Sequence, residues 1–321
     1  MKAGVWSLLI LGFALALSPR TAFAAGPPIL LVYGFQPIPG FRATELWADV
    51  AERLAGRPIV STQTIEIETG HDLFLLPAID AEHRDVYLSD YALPYEPTVR
   101  DLRFYADRLA DEIAWITDAV AVSEVDVVAH SMGALVVRAY IEADDFDGIL
   151  GAEDFPDYGT EYHGDVRTLI TVAGPHHGAY LVSFGQWLSR LGRQLSPEGA
   201  FLELLNRDRV VGDRLTSLRP DVRYVSMAGQ TCFGCGLRRD EEACLRECVE
   251  AGLAWHGSDL VVLMASAYLP EAENVACIGM DHVDMHSHPV LVETIEAILN
   301  GDPVPNAIYA SPELRTDAPS D

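Results

Sequence analysis

Short apolar runs rich in β-branched residues alternate along this chain with longer segments of helical period, from residue 29 to residue 299. Runs at 29–33, 84–88, 125–128, 166–172, 222–227 and 275–278 read as strands, because each is brief, apolar and bounded by turn-forming or polar residues. Between them the helical period appears at 44–54, where Thr44 is the expected cap, and at 98–122, where Leu102, Tyr105, Leu109, Ile113 and Ile116 share one face. It recurs from Ala134 to Ile141 and again at 289–299, opened by Pro289. Segment 60–76 alternates in polarity around Thr64-Ile65-Glu66-Ile67-Glu68 and fits an edge strand or a loop. Residues 179–219 read as largely helical, either a cap or lid or an ordinary excursion packed on the sheet. From Gly301 onward, prolines and small polar residues predict a flexible tail over 301–321. Strands alternating with helices predict an α/β fold, with a mostly parallel central sheet and helices on both faces, as one domain over 25–300.

The first residues change that picture only by subtraction. Lys2, an apolar stretch over 5–17 and Ala22-Phe23-Ala24 predict a signal peptide at 1–24, cleaved near Ala24. The apolar stretch is shorter than the roughly 20 residues that a membrane-spanning helix needs. The expectation is therefore a secreted or periplasmic protein with no transmembrane segment in the mature chain. Hydrophobic residues make up 49% of the sequence, enough for one large core. A net charge of −26 argues against nucleic acid and anionic membrane surfaces as partners, and reads as a solvated acidic exterior.

Export also decides how the cysteines are read. Cys232, Cys235, Cys244 and Cys248 have a spacing that superficially suits zinc, but an oxidising compartment favours disulfides. Of the three possible pairings, the nested one, Cys232–Cys248 with Cys235–Cys244, is the expectation. It would staple a small insertion at about 230–250. Cys277, in an expected strand, reads as a buried free thiol.

The chemistry centres on Ala129-His130-Ser131-Met132-Gly133, set between the strand at 125–128 and the helix that follows. A serine at such a strand-to-helix turn is the arrangement of a nucleophile elbow, and small residues two positions away make room for the turn. A serine hydroxyl needs a base, and the base needs an orienting acid. In this architecture the acid and then the base follow the serine in chain order. Asp259, ahead of the apolar Leu260-Val261-Val262, fits the acid, and His282, after the last expected strand, fits the base. His286 is the alternative base, and Asp281 and Asp284 are rival acids. His288 reads as a capping or surface residue, His130 as a packed residue of the elbow, and His176 and His177 as hydrogen-bonding structural residues. Tyr33 fits packing beneath the loop after the first strand.

Over about 27–300 the chain resembles the secreted bacterial lipases and esterases of the α/β-hydrolase superfamily, most of all the lipase class 2 branch and PGAP-type esterases. Gly34-Phe35 looks like their His-Gly-x segment with Tyr33 in the histidine position, and Ala129 to Gly133 matches their nucleophile motif with alanine for the first glycine. Val172-Ala173-Gly174-Pro175-His176-His177-Gly178 resembles their T-x-x-P-H-x-G strand end, and the stretch from Leu195 to Leu202 resembles a lid-region phrase. Ser258-Asp259-Leu260-Val261-Val262 resembles N-D-G-V-V with Leu260 in place of glycine, and the stretch from His282 to Pro289 resembles the loop of the catalytic histidine. The resemblance implies the α/β-hydrolase fold, Ser131 as nucleophile, Asp259 as acid, His282 as base, and an oxyanion hole from the backbone N–H groups of Phe35 and Met132. It implies a secreted serine carboxylic ester hydrolase, lipase-like, acting on triacylglycerol or other acyl esters without cofactor or metal. An acyltransferase, thioesterase or amidase on the same triad, or a non-catalytic binder of lipid or protein, are the alternatives.

Overall fold

The computed structural model describes residues 26–34, 43–67, 71–90, 102–142, 160–179, 190–197, 199–211, 214–231, 258–311 and 314. Strand β1 (Ile29–Val32) leads through helices α1 (Ala43–Leu46) and α2 (Ala48–Ala55) to β2 (Gln63–Ile67), β3 (His71–Leu76) and β4 (Val86–Ser89). Helix α3 (Leu102–Val120), β5 (Val125–His130), α4 (Met132–Ile141) and β6 (Val166–Val172) follow. Then come α5 (Arg190–Gln194), α6 (Ala200–Leu205), β7 (Arg209–Val211), β8 (Arg214–Thr216) and β9 (Arg223–Gln230). The chain closes with α7 (Met264–Ala267), β10 (Glu273–Ile278), α8 (Pro289–Leu299) and β11 (Ala307–Tyr309). Among the described residues nine strands form one sheet, ordered β11-β10-β9-β6-β5-β1-β4-β3-β2, in which β3 alone runs against the others, so that its pairs with β4 and β2 are antiparallel.

Helices cover both faces, which is why the central strands read as unbroken apolar runs. Leu30 and Val32 of β1 join the core of Leu109, Ile113 and Leu135 from α3 and α4. Ile29 and Leu31 point the other way, into a core with Val50 of α2 and Leu291 and Ile295 of α8. Of the two polar residues in β5, Asp126 and His130, Asp126 is fully buried and its carboxylate accepts from Arg84 and, at 2.9 Å, from Arg167 Nε. Arg84 Nε also donates to the carbonyl of Pro27 at 2.6 Å, tying the start of the described chain to the sheet.

The structure sharpens one expectation and revises others. Segment 60–76 holds a hairpin, with Gln63 opposite Leu75 and Ile67 opposite His71, so its polar alternation is that of an edge ribbon. The helix expected at 44–54 starts at Ala43 and breaks at the fully buried Trp47, leaving Thr44 inside the first turn. The stretch 179–219 is not helical throughout, because β7 and β8 pair as an antiparallel hairpin. Its α6 packs down on the sheet, burying Phe201, Leu202 and Leu205 in the core of α3 and α4. Gln194 Oε1 at the end of α5 accepts the first N–H of α3, from Leu102, at 2.9 Å. The tail expected at 301–321 is in part a sheet element: β11 pairs in parallel with β10, and Ile308 is buried against its edge. Residues 1–24 and Cys232, Cys235, Cys244 and Cys248 lie outside the described residues. Cys277 is fully buried in β10, and burial pushes its thiol pKa up. Among the described residues no helix is long and apolar enough to cross a membrane.

Candidate active site

Strand β5 ends at His130 and α4 begins at Met132, so Ser131 alone makes the turn, at φ 54° and ψ −131°. A residue with a side chain held there is strained by about 1–3 kcal/mol, and the surroundings must enforce it. They do so through a hydrogen bond from Ser131 N–H to the Val172 carbonyl at 2.8 Å, and through crowding. A Cβ on Gly133 would lie 2.7 Å from the Tyr33 carbonyl oxygen, and one on Gly34 would lie 2.8 Å from both Met132 N and Ser131 Cβ. Glycine at 34 therefore keeps open the space beside Met132 N–H. Met132 opens α4, so its N–H has no acceptor within the helix and lies at the positive end of the helix dipole. Phe35, the other expected donor, lies outside the described residues.

Asp259 is buried on the loop facing the end of β9. Its Oδ1 accepts from the N–H groups of Val261 (2.9 Å) and Val262 (2.6 Å). Gly229 of β9 lets this loop approach: a Cβ there would press on Met285 Sδ and stand 2.8 Å from Asp259 Cβ. The turn continues through Leu260 at φ 79°. That is a conformation glycine adopts freely and leucine does not, and it falls where the N-D-G-V-V phrase carries glycine.

His282 follows β10. Its Nδ1 lies 2.7 Å from Asp259 Oδ2 and its Nε2 lies 2.9 Å from Ser131 Oγ. Its backbone N–H donates to the Asp259 carbonyl at 2.9 Å. With the proton on Nδ1 the imidazole donates to the carboxylate and offers the Nε2 lone pair to the serine hydroxyl, the direction in which a base accepts a proton. The structure thus brings Ser131, Asp259 and His282 into one relay. His286 lies elsewhere, its ring edge-on to Tyr33 and His130. Asp281 Oδ1 accepts from the N–H groups of Val283 and Asp284 and shapes the turn. His176 is fully buried, its Nε2 3.0 Å from Thr171 Oγ1, and burial, with Arg138 adding to it, holds it well below the usual imidazole range. Gly229 was not singled out from the sequence, although a glycine inside a strand is itself a sign of close approach.

Residues 69–204, which include Ser131, match the family described as "Putative serine esterase (DUF676)". The mature form of the lipase BlEst2 from Bacillus licheniformis superposes with a TM-score of 0.52 and 17% identity, covering 87% of this chain and 94% of that one. Its propeptide form gives a TM-score of 0.54 and 16% identity, covering 89% of this chain and 52% of that one. The lin2722 product of Listeria innocua gives a TM-score of 0.50 and 16% identity over 88% of this chain and 98% of that one. No curated protein sequence matches. At these identities the likeness is one of fold.

Proposed function

We propose that this chain, a serine hydrolase of the α/β-hydrolase fold, cleaves carboxylic esters through an acyl-enzyme on Ser131. The observation that carries the reading is the relay of Ser131 Oγ, His282 Nε2, His282 Nδ1 and Asp259 Oδ2, at 2.9 and 2.7 Å. Ser131 attacks the ester carbonyl carbon while His282 takes its proton, and Asp259 holds the imidazolium that forms. The negative oxygen of the tetrahedral intermediate turns toward Met132 N–H, with Phe35 N–H as the second expected donor. Each such donor contributes about 2.7–4 kcal/mol in comparable sites. His282 then protonates the departing alcohol, and water, deprotonated by the same imidazole, releases the acid.

Two further supports shape the substrate side. The match to a serine esterase family covers the nucleophile segment, and the structurally similar Bacillus licheniformis protein is described as a lipase. They support an enzyme acting on acyl esters, lipids among them, and the signal peptide expected from the sequence at 1–24 supports its export. The test is labelling with a fluorophosphonate probe together with hydrolysis of p-nitrophenyl esters of increasing chain length. Ser131→Ala should abolish labelling and lower turnover by about 10⁴–10⁶-fold. Labelling that persists in Ser131→Ala would overturn the assignment. Preferential turnover of thioesters or amides would redirect the substrate class while leaving the nucleophile in place.

A further inference from the structure

His130 sits between the nucleophile's strand and the base, and the relay does not use its side chain. Its Nε2 lies 2.9 Å from the backbone carbonyl oxygen of His282. Its ring stacks on Tyr33, with centroids 5.0 Å apart and planes 30° apart. Trp47 and His286 meet the same ring edge-to-face at 6.3 and 5.8 Å. The nearest ring is that of His282 itself, 4.7 Å away and tilted by 49°, so the buried imidazole is held among four ring neighbours.

We propose that His130 is a positioning residue that fixes the catalytic base by donating Nε2–H to the carbonyl of His282, with Tyr33 bracing its ring. The proposal rests on the reading of Ser131 and His282 given above. An imidazole nitrogen this close to a carbonyl oxygen must carry the proton, which leaves Nδ1 as a bare lone pair. That Nδ1 is buried and has no partner among the described residues. A phenylalanine would fill the same slot without an unpaired Nδ1, but would take the donor from the His282 carbonyl, so packing alone does not account for an imidazole here. Burial first, then His282 and His286, hold His130 well below the usual imidazole range, which keeps it neutral and in the donor–acceptor form required.

The consequence is a closed geometric loop. The N–H of His282 is pinned to the acid through the Asp259 carbonyl, and its C=O is pinned to the residue directly before the nucleophile. Any shift at the end of β5 then moves Ser131 and the backbone of His282 together, preserving the Oγ to Nε2 distance. Tyr33, immediately before Gly34, extends the same brace to the segment expected to form the oxyanion hole. A displacement of about 1 Å at such a site lowers rate on the order of 10²-fold.

Three measurements test this. His130→Phe keeps an aromatic ring against Tyr33 and removes the donor; kcat on a p-nitrophenyl ester should fall about 10–100-fold with KM within about twofold. His130→Gln places an amide N–H where Nε2 was and should restore kcat to within about fivefold of the unaltered enzyme. A neutron structure of the unaltered protein should show deuterium on His130 Nε2, and this readout stands even where a variant does not fold. Wild-type kcat in His130→Phe, no recovery in His130→Gln, or deuterium on Nδ1 alone would each overturn the proposal. Loss of the underlying triad reading would look different, as probe labelling that survives Ser131→Ala.

Discussion

Replacing Asp259 with asparagine changes one atom of the relay, and the surrounding backbone dictates which way the new amide must face. Oδ1 accepts from two N–H groups, of Val261 at 2.9 Å and Val262 at 2.6 Å, while Oδ2 faces His282 Nδ1 at 2.7 Å. An amide NH2 turned toward Val261 and Val262 would set donors against donors at a buried side chain. The amide oxygen therefore stays on the two N–H groups, and the NH2 turns to His282. Nδ1 must then accept, so the single ring proton moves to Nε2, which now points a hydrogen at Ser131 Oγ where a lone pair is needed. The base is disabled without any loss of packing.

In a serine protease the equivalent swap costs about 10⁴ in kcat, which at 1.36 kcal/mol per tenfold corresponds to about 5.4 kcal/mol in the barrier. Asp259→Asn should therefore show kcat reduced by about 10⁴-fold, with thermal stability within a few degrees of the unaltered protein. Asp259→Ala separates the two contributions: it also strips both N–H groups of their acceptor, at about 1–3 kcal/mol each, and should melt markedly lower. The assay is steady-state ester hydrolysis paired with thermal denaturation. Asp259→Asn retaining a tenth or more of wild-type kcat would refute the orienting role.

Leu260→Gly should raise the melting temperature by about 2 °C, because relief of the left-handed strain, about 1–2 kcal/mol, exceeds the added chain entropy of glycine; a lower melting temperature would contradict the strained-turn reading. Arg138 is fully buried, donates to the likewise buried Glu142 (3.2 Å) and to the Leu205 carbonyl (2.8 Å), and holds α6 against α4. Arg138→Met should lose about 3–5 kcal/mol in chemical denaturation, since it leaves a buried carboxylate without its guanidinium. His176 is held neutral in the fold and binds a proton more readily when unfolded, so its contribution is present above the ordinary imidazole pKa, near 6.5, and is lost as pH falls below it. Between pH 7.5 and 5.5 it should remove at most about 1.4 kcal/mol of stability, and His176→Gln should show a shallower pH slope than the unaltered chain; identical slopes would count against it.

The parts of the site that could be read along the chain are those that a parallel sheet converts from order into proximity. Strands β5, β9 and β10 all run the same way, so the turn after β5, the loop facing β9 and the loop after β10 arrive at one edge. That is why a serine, an acid and a histidine in that order were legible as candidates in the chain alone. Elements below the length at which periodicity registers were not: β11 and the β7–β8 hairpin have strands of three residues each. The break at Trp47 had no signal of its own either, since a buried indole reads like any other apolar position on a helical face.

The brace around the base escaped sequence reading for a different reason, which is strand neighbourhood. Nothing in the order of elements says that β1 lies directly beside β5. Once it does, the rest follows from register. Val32 is opposite Ala129 in a parallel ladder, so the next step places Tyr33 beside His130, where the two rings stack. The step after that places Gly34 beside Ser131, where even a Cβ would lie 2.8 Å from the serine's own Cβ. A slip of one residue in one direction would set the tyrosine beside the nucleophile, and a slip in the other would set the glycine beside His130; either breaks the stack and takes Gly34 away from Ser131. The register of β1 on β5 is thus a specificity-bearing quantity in its own right. It couples the brace at Tyr33, the open space at Gly34 and the strained turn at Ser131 into a single geometric choice.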